Sequence, residues 1–288
     1  RDIALPQEFA GKRVILNFGA VDQCATVWEN SMQVVSHIGG YLPFSADVTD
    51  AVEDGRMLIT VRVTDDTDRS FHSRGKQKTR RGGIWYTPQS GIWQTVWMEH
   101  VPEEYISALR ITPDAARGQV RIAVLSDAEC ECCIVFQGRR IEGRTNSGIT
   151  VSVDVPELWS PESPKLYEFS AELGADKVDS YFALRDVGVG KDEKGRPCLM
   201  LNGRPYFHSG VLDQGYWPDG LYTAPSDAAL VYDIELIKSM GFNMLRKHIK
   251  IESMRWYYHC DRLGMLVWQD MMNGGGKYDP ITISAPLI

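Results

Sequence analysis

Apolar and polar residues alternate in the stretch "RMLITVRVTD" (56–65). Leu58, Thr60 and Arg62 fall on one side and Ile59, Val61 and Val63 on the other. That period of two predicts a strand with one face on a core and one more polar, as in a β-sandwich. Short β-branched and aromatic runs such as "KRVILNF" and "ATVWENSMQVVSHIGG" carry the same pattern through residues 1–101, broken by turn signals at Asn30-Ser31 and Gly39-Gly40. Pro102 and the acidic pair Glu103-Glu104 read as a linker. Beyond it, "YISALRITPD", "QVRIAVLS", "CCIVFQGR", "GITVSVDVP", "YEFSAELG" and "DSYFALRDVGV" predict about six strands at roughly ten-residue spacing, the cadence of an immunoglobulin-like sandwich. The Cys, Trp, Cys core of antibody domains is missing from it.

After Gly190 the period changes. "RPCLMLNGRPYFHSGV" predicts a hairpin turning at Asn202-Gly203. In "SDAALVYDIELIKSMG", Leu230, Ile234 and Ile237 stand at helical spacing, with Ser226 and Asp227 as candidate N-caps and Gly241 as the stop. "FNMLR" resumes as a strand, "ESMRWYYHCDRLG" as a helix ending on Gly264, and "MLVWQD" as a strand again. Strands and helices alternating with short connections predict parallel strands, in a doubly wound sheet or a (β/α)-barrel. No Gly-x-Gly-x-x-Gly opens either helix, which counts against a nucleotide fold, and no helical pattern follows the Gly-rich "NGGGK" (273–277).

Composition narrows the partners. The 288 residues carry a net charge of −7 and are 43% hydrophobic and 24% charged, as expected for two or three globular domains. A net acidic chain is a poor ligand for phosphate backbones, so nucleic acid is not an expected partner. The basic stretch "SRGKQKTRRGG" (73–83) is expected to be a solvated loop. With no apolar run of membrane-spanning length, no membrane partner is expected. The first residues lack the layout of a signal peptide. Among six cysteines only Cys130, Cys132 and Cys133 cluster, and without a second zinc-spaced group they read as small apolar fillers. Free thiols favour a reducing compartment, which makes the cytoplasm the expected location unless a missing N-terminus held a leader.

Candidate chemistry collects where the parallel strands end. In parallel α/β folds functional groups gather at the carboxyl ends of strands. Here those ends carry Asp213 and Gln214, then Arg246 and His248, then Asp270 and Asn273. The side chains of Asp213, Arg246, His248 and Asp270 are expected to share one edge and to form one polar cluster.

Taken together, "GKRVILNFGAVDQCATVWEN", "SGIWQTVWMEHVP", "LMLNGRPYFHSGVLDQGYWPDGLY" and "GFNMLRKHIKIESMRWYYHCDRLGMLVWQDM" resemble glycoside hydrolase family 2, which includes β-galactosidases, β-glucuronidases and β-mannosidases. The resemblance implies a multidomain β plus α/β chain: a sugar-binding jelly-roll over 1–102, an immunoglobulin-like sandwich over 103–187, and the first part of a (β/α)8 TIM barrel over 188–288. One family motif is matched by Asn243, Leu245, Arg246, His248, Asp261, Gly264 and the run 265–268. It departs at Lys247, which stands alone between Arg246 and His248, and at Ile249-Lys250, where the family has Tyr-Pro. "WQD" leans away from the best-known galactosidases.

The implied activity is that of a retaining exo-β-glycosidase on terminal β-linked sugars, with Asp213, Gln214, Arg246, His248, Asp270 and Asn273 contacting the carbohydrate. No cofactor is implied, while a cation requirement and homo-oligomerisation are left open. The family's two catalytic glutamates, the first preceded by Asn, have no counterpart, because no Asn-Glu dipeptide occurs here. The acid/base and the nucleophile are therefore expected beyond Ile288, the last residue of the sequence. On that expectation the chain is part of a larger enzyme and is inactive alone. Two alternatives compete. Asp213 and Asp270 could themselves be the carboxylate pair, or the protein could be a non-catalytic carbohydrate binder using Trp28, Trp85, Tyr86, Trp93 and Trp97.

Overall fold

In the computed structural model, which describes residues 1–272, the alternating stretch forms the strand Arg56–Thr64, buried at Met57 and Ile59 and open at Leu58 and Thr60. It pairs antiparallel with Asp2–Ala4 and Cys24–Glu29, and Met32–Ile38 completes that sheet. The Asn30-Ser31 turn has positive φ at both residues, the primed geometry that matches the twist of paired strands. A second sheet of Phe44–Asp47, Arg13–Phe18 and Val96–Val101 lies against the first. Val14, Leu16 and Phe18 from one layer meet Val27, Met57 and Ile59 from the other.

Residues 108–182 form a second sandwich. One layer contains Ala108–Asp114, Gln119–Leu125 and Gly148–Ser152, the other Arg139–Arg144, Glu131–Phe136, Tyr167–Leu173 and Asp176–Phe182. Val120, Ile122 and Val124 alternate inward against Ile134, Phe136, Phe169, Ala171 and Leu173. Cys132 sits inside this core as a filler. Its neighbour Cys133 is buried on the opposite side of the strand, with Sγ 3.7 Å from Glu172 Oε2.

The period change after Gly190 is real. A hairpin of Pro197–Leu201 and Arg204–Pro205 turns on Asn202 and Gly203, both with positive φ. Three parallel strands follow, Gly210–Asp213, Met244–Lys247 and Leu266–Gln269, in that order across the sheet. The helices Asp227–Ser239 and Met254–Leu263 connect them. Ser226 caps the first, its Oγ accepting from Ala229 N at 3.1 Å, and Gly264 ends the second in the left-handed conformation. Leu230, Ile234, Trp256 and Cys260 from the helices bury Leu245 and, in part, Val211 and Val267 on one face of the sheet. On the opposite face Met244 and Leu266 are buried against Trp159 and Ala183, while the carboxyl half stays open, with Leu212, Arg246 and Trp268 side by side in register.

The three units are bolted together by polar contacts. Asp261 on the second helix accepts from Arg185 Nη1 at 2.6 Å and from the Tyr181 hydroxyl at 3.1 Å, and its carbonyl accepts from the buried indole of Trp159 at 2.7 Å. This residue of the family motif thus anchors a helix to the second sandwich.

The basic loop departs from expectation. Arg74, Gly75 and Gln77 are buried, and the exposed residues are Ser73 and the tip around residues 79–84. The cause is a buried carboxylate: Gln77 Nε2 donates to Asp22 Oδ2 at 2.8 Å, and Gln77 Oε1 accepts from Gln89 N at 2.7 Å. At Gly75 (φ +60°) a Cβ would lie 2.6 Å from the carbonyl oxygen of Ile249, so only glycine lets the loop approach the parallel-strand unit this closely.

Candidate functional site

The carboxyl ends of the three parallel strands gather four of the expected site residues. Arg246 and Asp270 form a two-pronged ion pair, Nε to Oδ1 and Nη2 to Oδ2 both at 2.9 Å. Such fork-on-fork pairing fixes both planes. His248 Nε2 lies 3.6 Å from Asp270 Oδ2, and His248 Nδ1 is 3.2 Å from Gln214 Oε1. Burial lowers the His248 pKa, with Lys76 of the basic loop and Arg246 adding to the effect and Asp270 opposing it. The ring is therefore biased towards neutrality, able to donate one hydrogen bond and accept another. Trp268 lies on the same face as Arg246, its indole donating to His208 Nδ1 at 2.8 Å.

Asp213 does not join this cluster. Successive strand residues point to opposite faces, so Arg246 is on the open face while Lys247 turns towards the helices. Asp213 follows Lys247, with Oδ2 2.8 Å from its Nζ. The expected single cluster is therefore two clusters on one edge. Asn273 lies outside the described residues, as do the Gly-rich stretch after it and Ile288, beyond which the acid/base and nucleophile are expected.

The second cluster is buried, and apart from Asp213 its charged members are not among the expected site residues. Lys247, 1% exposed at its side chain, also contacts Glu252 Oε2 at 3.2 Å and lies over the Trp256 ring at 4.0 Å. Lys250, 0% exposed, meets the same Glu252 oxygen at 2.8 Å. Burial works to lower the Lys247 pKa, but the charges of Glu252 and Asp213 outweigh it and the net shift is upward. For Lys250 burial wins and the value falls to about 8 despite Glu252, with Lys247 adding to the drop. A cavity of about 230 Å3 lies behind these groups, lined by Asp213, Lys247, Glu252, Trp217, Asp233 and Trp256 among others. The signal that was available is the period of "LRKHIKIE": a lysine two residues after Leu245 must follow it to the helix side, where an ammonium needs carboxylates.

The first sandwich closes one wall of the site. Tyr216 donates to the Thr87 carbonyl and packs on Tyr86 with ring centroids 4.6 Å apart. Tyr222 N donates to Gln89 Oε1 at 2.9 Å, and Thr223 Oγ1 to the Trp93 carbonyl at 2.7 Å. Trp93, a candidate sugar platform in the sequence, is buried with Ala20, Tyr41 and Tyr222, and its indole is spent on the Gly40 carbonyl at 2.7 Å. It holds the units together and offers no face to a ligand.

Comparison with known proteins adds three findings. Residues 1–102 match the family model described as glycosyl hydrolases family 2, sugar binding domain, and residues 105–185 match the model described as glycosyl hydrolases family 2. Together they cover well over half of the chain. Among curated relatives, a β-glucuronidase of Rattus norvegicus is 25% identical over 93% of this chain and 46% of its own length, and a β-galactosidase of Thermoanaerobacter pseudethanolicus is 23% identical over 92% and 38%. The chain spans between about a quarter and a half of the length of the curated relatives it matches. Among solved structures, a β-glucuronidase of Faecalibacterium prausnitzii superposes with a TM-score of 0.74 at 26% identity, over 94% of this chain and 50% of its own. A β-D-glucuronidase of Dictyoglomus thermophilum, 20% identical, shares the fold with a TM-score of 0.77 over 98% of this chain and 51% of its own.

Proposed function

The chain belongs to glycosyl hydrolase family 2, and from that premise we propose that it forms the sugar-binding and leading catalytic-domain part of a retaining exo-β-glycosidase. The observation that carries the reading is the Arg246–Asp270 pair with His248 and Gln214, presented on an open strand edge and walled by the first sandwich. Paired carboxylate, amide and imidazole groups bind sugar hydroxyls because each offers directional donors or acceptors at a fixed place. In this reading the first sandwich is a jelly-roll, the second is immunoglobulin-like, and the parallel strands open a (β/α)8 barrel. The barrel's remaining strands would cover Leu212 and Trp268 and bring the acid/base and nucleophile glutamates to the same edge.

The two-aspartate alternative loses support. The Asp213 carboxylate is neutralised by Lys247 on the helix side, and that of Asp270 is clamped by Arg246. The two carboxyl groups thus sit in separate clusters and do not face one another across one shared site, as a glycosidase's acid/base and nucleophile do. The binding-module alternative loses its aromatic platform at Trp93.

The relatives' names give two substrate classes, β-glucuronides and β-galactosides. Lys76, whose charge is felt at His248, is a cation of the kind a uronate carboxylate pairs with, against the negative charge of Asp270. The test is turnover of aryl β-glucuronides, β-galactosides and β-mannosides by the full-length protein and by its Asp270→Ala variant. One of these substrates is expected to be cleaved, with kcat/KM falling on the order of 100-fold in the variant while its Tm stays within about 2 °C. No cleavage of any of them, or unchanged kinetics in the variant, contradicts the reading, and so does turnover by residues 1–288 alone.

A further inference from the structure

Lys250 is sealed from solvent, and its ammonium spends all three of its hydrogens within the protein. It donates to the Gly215 carbonyl, the Tyr222 carbonyl and Glu252 Oε2, each at 2.8 Å. Aromatic faces close two further directions, Tyr222 at 4.8 Å and Trp93 at 5.1 Å from Nζ. With three donors satisfied, none remains for a substrate. Whatever Lys250 contributes, it contributes through its neighbours.

Those neighbours are the supports of the rim. Gly215 follows Gln214, whose amide oxygen meets the His248 ring. Lys250 lies two residues beyond His248 in the chain, and the His248 amide is bonded to the Asp213 carbonyl at 2.9 Å. Trp93 belongs to the first sandwich. At Gly215 (φ +60°) a Cβ would stand 2.7 Å from Glu252 Oε2 and 2.9 Å from Lys250 Nζ, so the turn after the first parallel strand is built down onto this ammonium.

We infer that Lys250 is a positioning residue: it clamps the 214–222 turn so that Gln214 orients His248, and it ties that orientation to the docking of the first sandwich through Trp93. The inference rests on the reading of the rim as the sugar-binding wall. It assigns a role to the position at which the chain departs from its family's Tyr-Pro.

The test uses the full-length protein and two variants. Lys250→Met removes the ammonium, and Gly215→Ala keeps every charge but pushes the turn off it. The first readout is the NMR titration of the His248 ring, with His37 of the first sandwich as internal reference. It needs no substrate. In both variants the His248 midpoint is expected to rise by about half a pH unit or more, because a ring released to water escapes the burial that lowers it, while His37 stays put. The second readout is kcat/KM, expected to fall about tenfold or more. If the wild type cleaves no β-glycoside, the proposed function fails while the titration still decides the role of Lys250. An unchanged His248 titration in either folded variant overturns the inference. So does failure of both variants to fold, which would make Lys250 a structural residue only.

Discussion

At the scale of single residues, the buried charges decide most. Lys247 is enclosed with two carboxylates against Trp256, and removing one partner of a buried ionic group strands the others. Lys247→Met should therefore cost about 3–5 kcal/mol in urea denaturation, and a loss under about 1 kcal/mol would show that water already reaches the cluster. Asp22 gives a pH prediction. Burial pushes its pKa up to about 7, with Asp65 adding and the Gln77 bond opposing. The folded value lies above the ordinary carboxylate value of about 4, so the folded state holds the proton longer. Its contribution is fully present below about pH 4 and is lost as pH rises through about 7. Asp22→Asn should then gain in Tm relative to the wild type between pH 5 and pH 8, and an equal difference at both values refutes it. These charges were only partly legible in the sequence. Arg246, His248 and Asp270 could be placed at strand ends from periodicity, but Gln77, which meets Asp22, and the Gly215 and Tyr222 carbonyls, which meet Lys250, come from segments distant in the chain, and no spacing rule brings them together.

At the scale of elements, local pattern and fold agree closely. The hairpin at Asn202-Gly203, the Ser226 cap and the Gly264 stop lie where turn and cap chemistry put them, because each is decided by a few adjacent residues. The basic loop defies its own composition for the opposite reason. Its Gly and Lys content suits water, yet Gln77 is drawn inward by a carboxylate more than fifty residues away. The helix Met254–Leu263 shows how one residue serves a whole element, since Asp261 holds it to the second sandwich through Arg185 and Tyr181. Asp261→Ala should cost about 2 kcal/mol, the worth of hydrogen bonds to a charged group. By hydrogen exchange the loss should appear in the amides of 254–263 first, with both sandwich cores still protected; uniform loss across all three units would contradict the assignment.

At the scale of the whole molecule, the parallel-strand unit meets the second sandwich through Asp261 and the first through Tyr216, Tyr222 and Thr223, and the open half of its sheet is the side on which the rim looks outward. The contact of Gly75 with the Ile249 carbonyl also bears on where this chain tolerates added sequence. Surface loops are the usual places to insert a tag or a linker, and the 73–83 stretch looks like one such place from its composition. Only its tip qualifies. Gly82 and Gly83 are exposed, and a Cβ on either would meet nothing within 4 Å, whereas Gly75 has no such room. A short Gly-Ser insert between Gly82 and Gly83 should leave Tm unchanged within about 2 °C, while the same insert between Gly75 and Lys76 should undock the first sandwich and lower Tm well beyond that. For anyone grafting a reporter or permuting the chain, the usable gate is the pair of glycines at the tip, and the glycine a few residues upstream is a closed door.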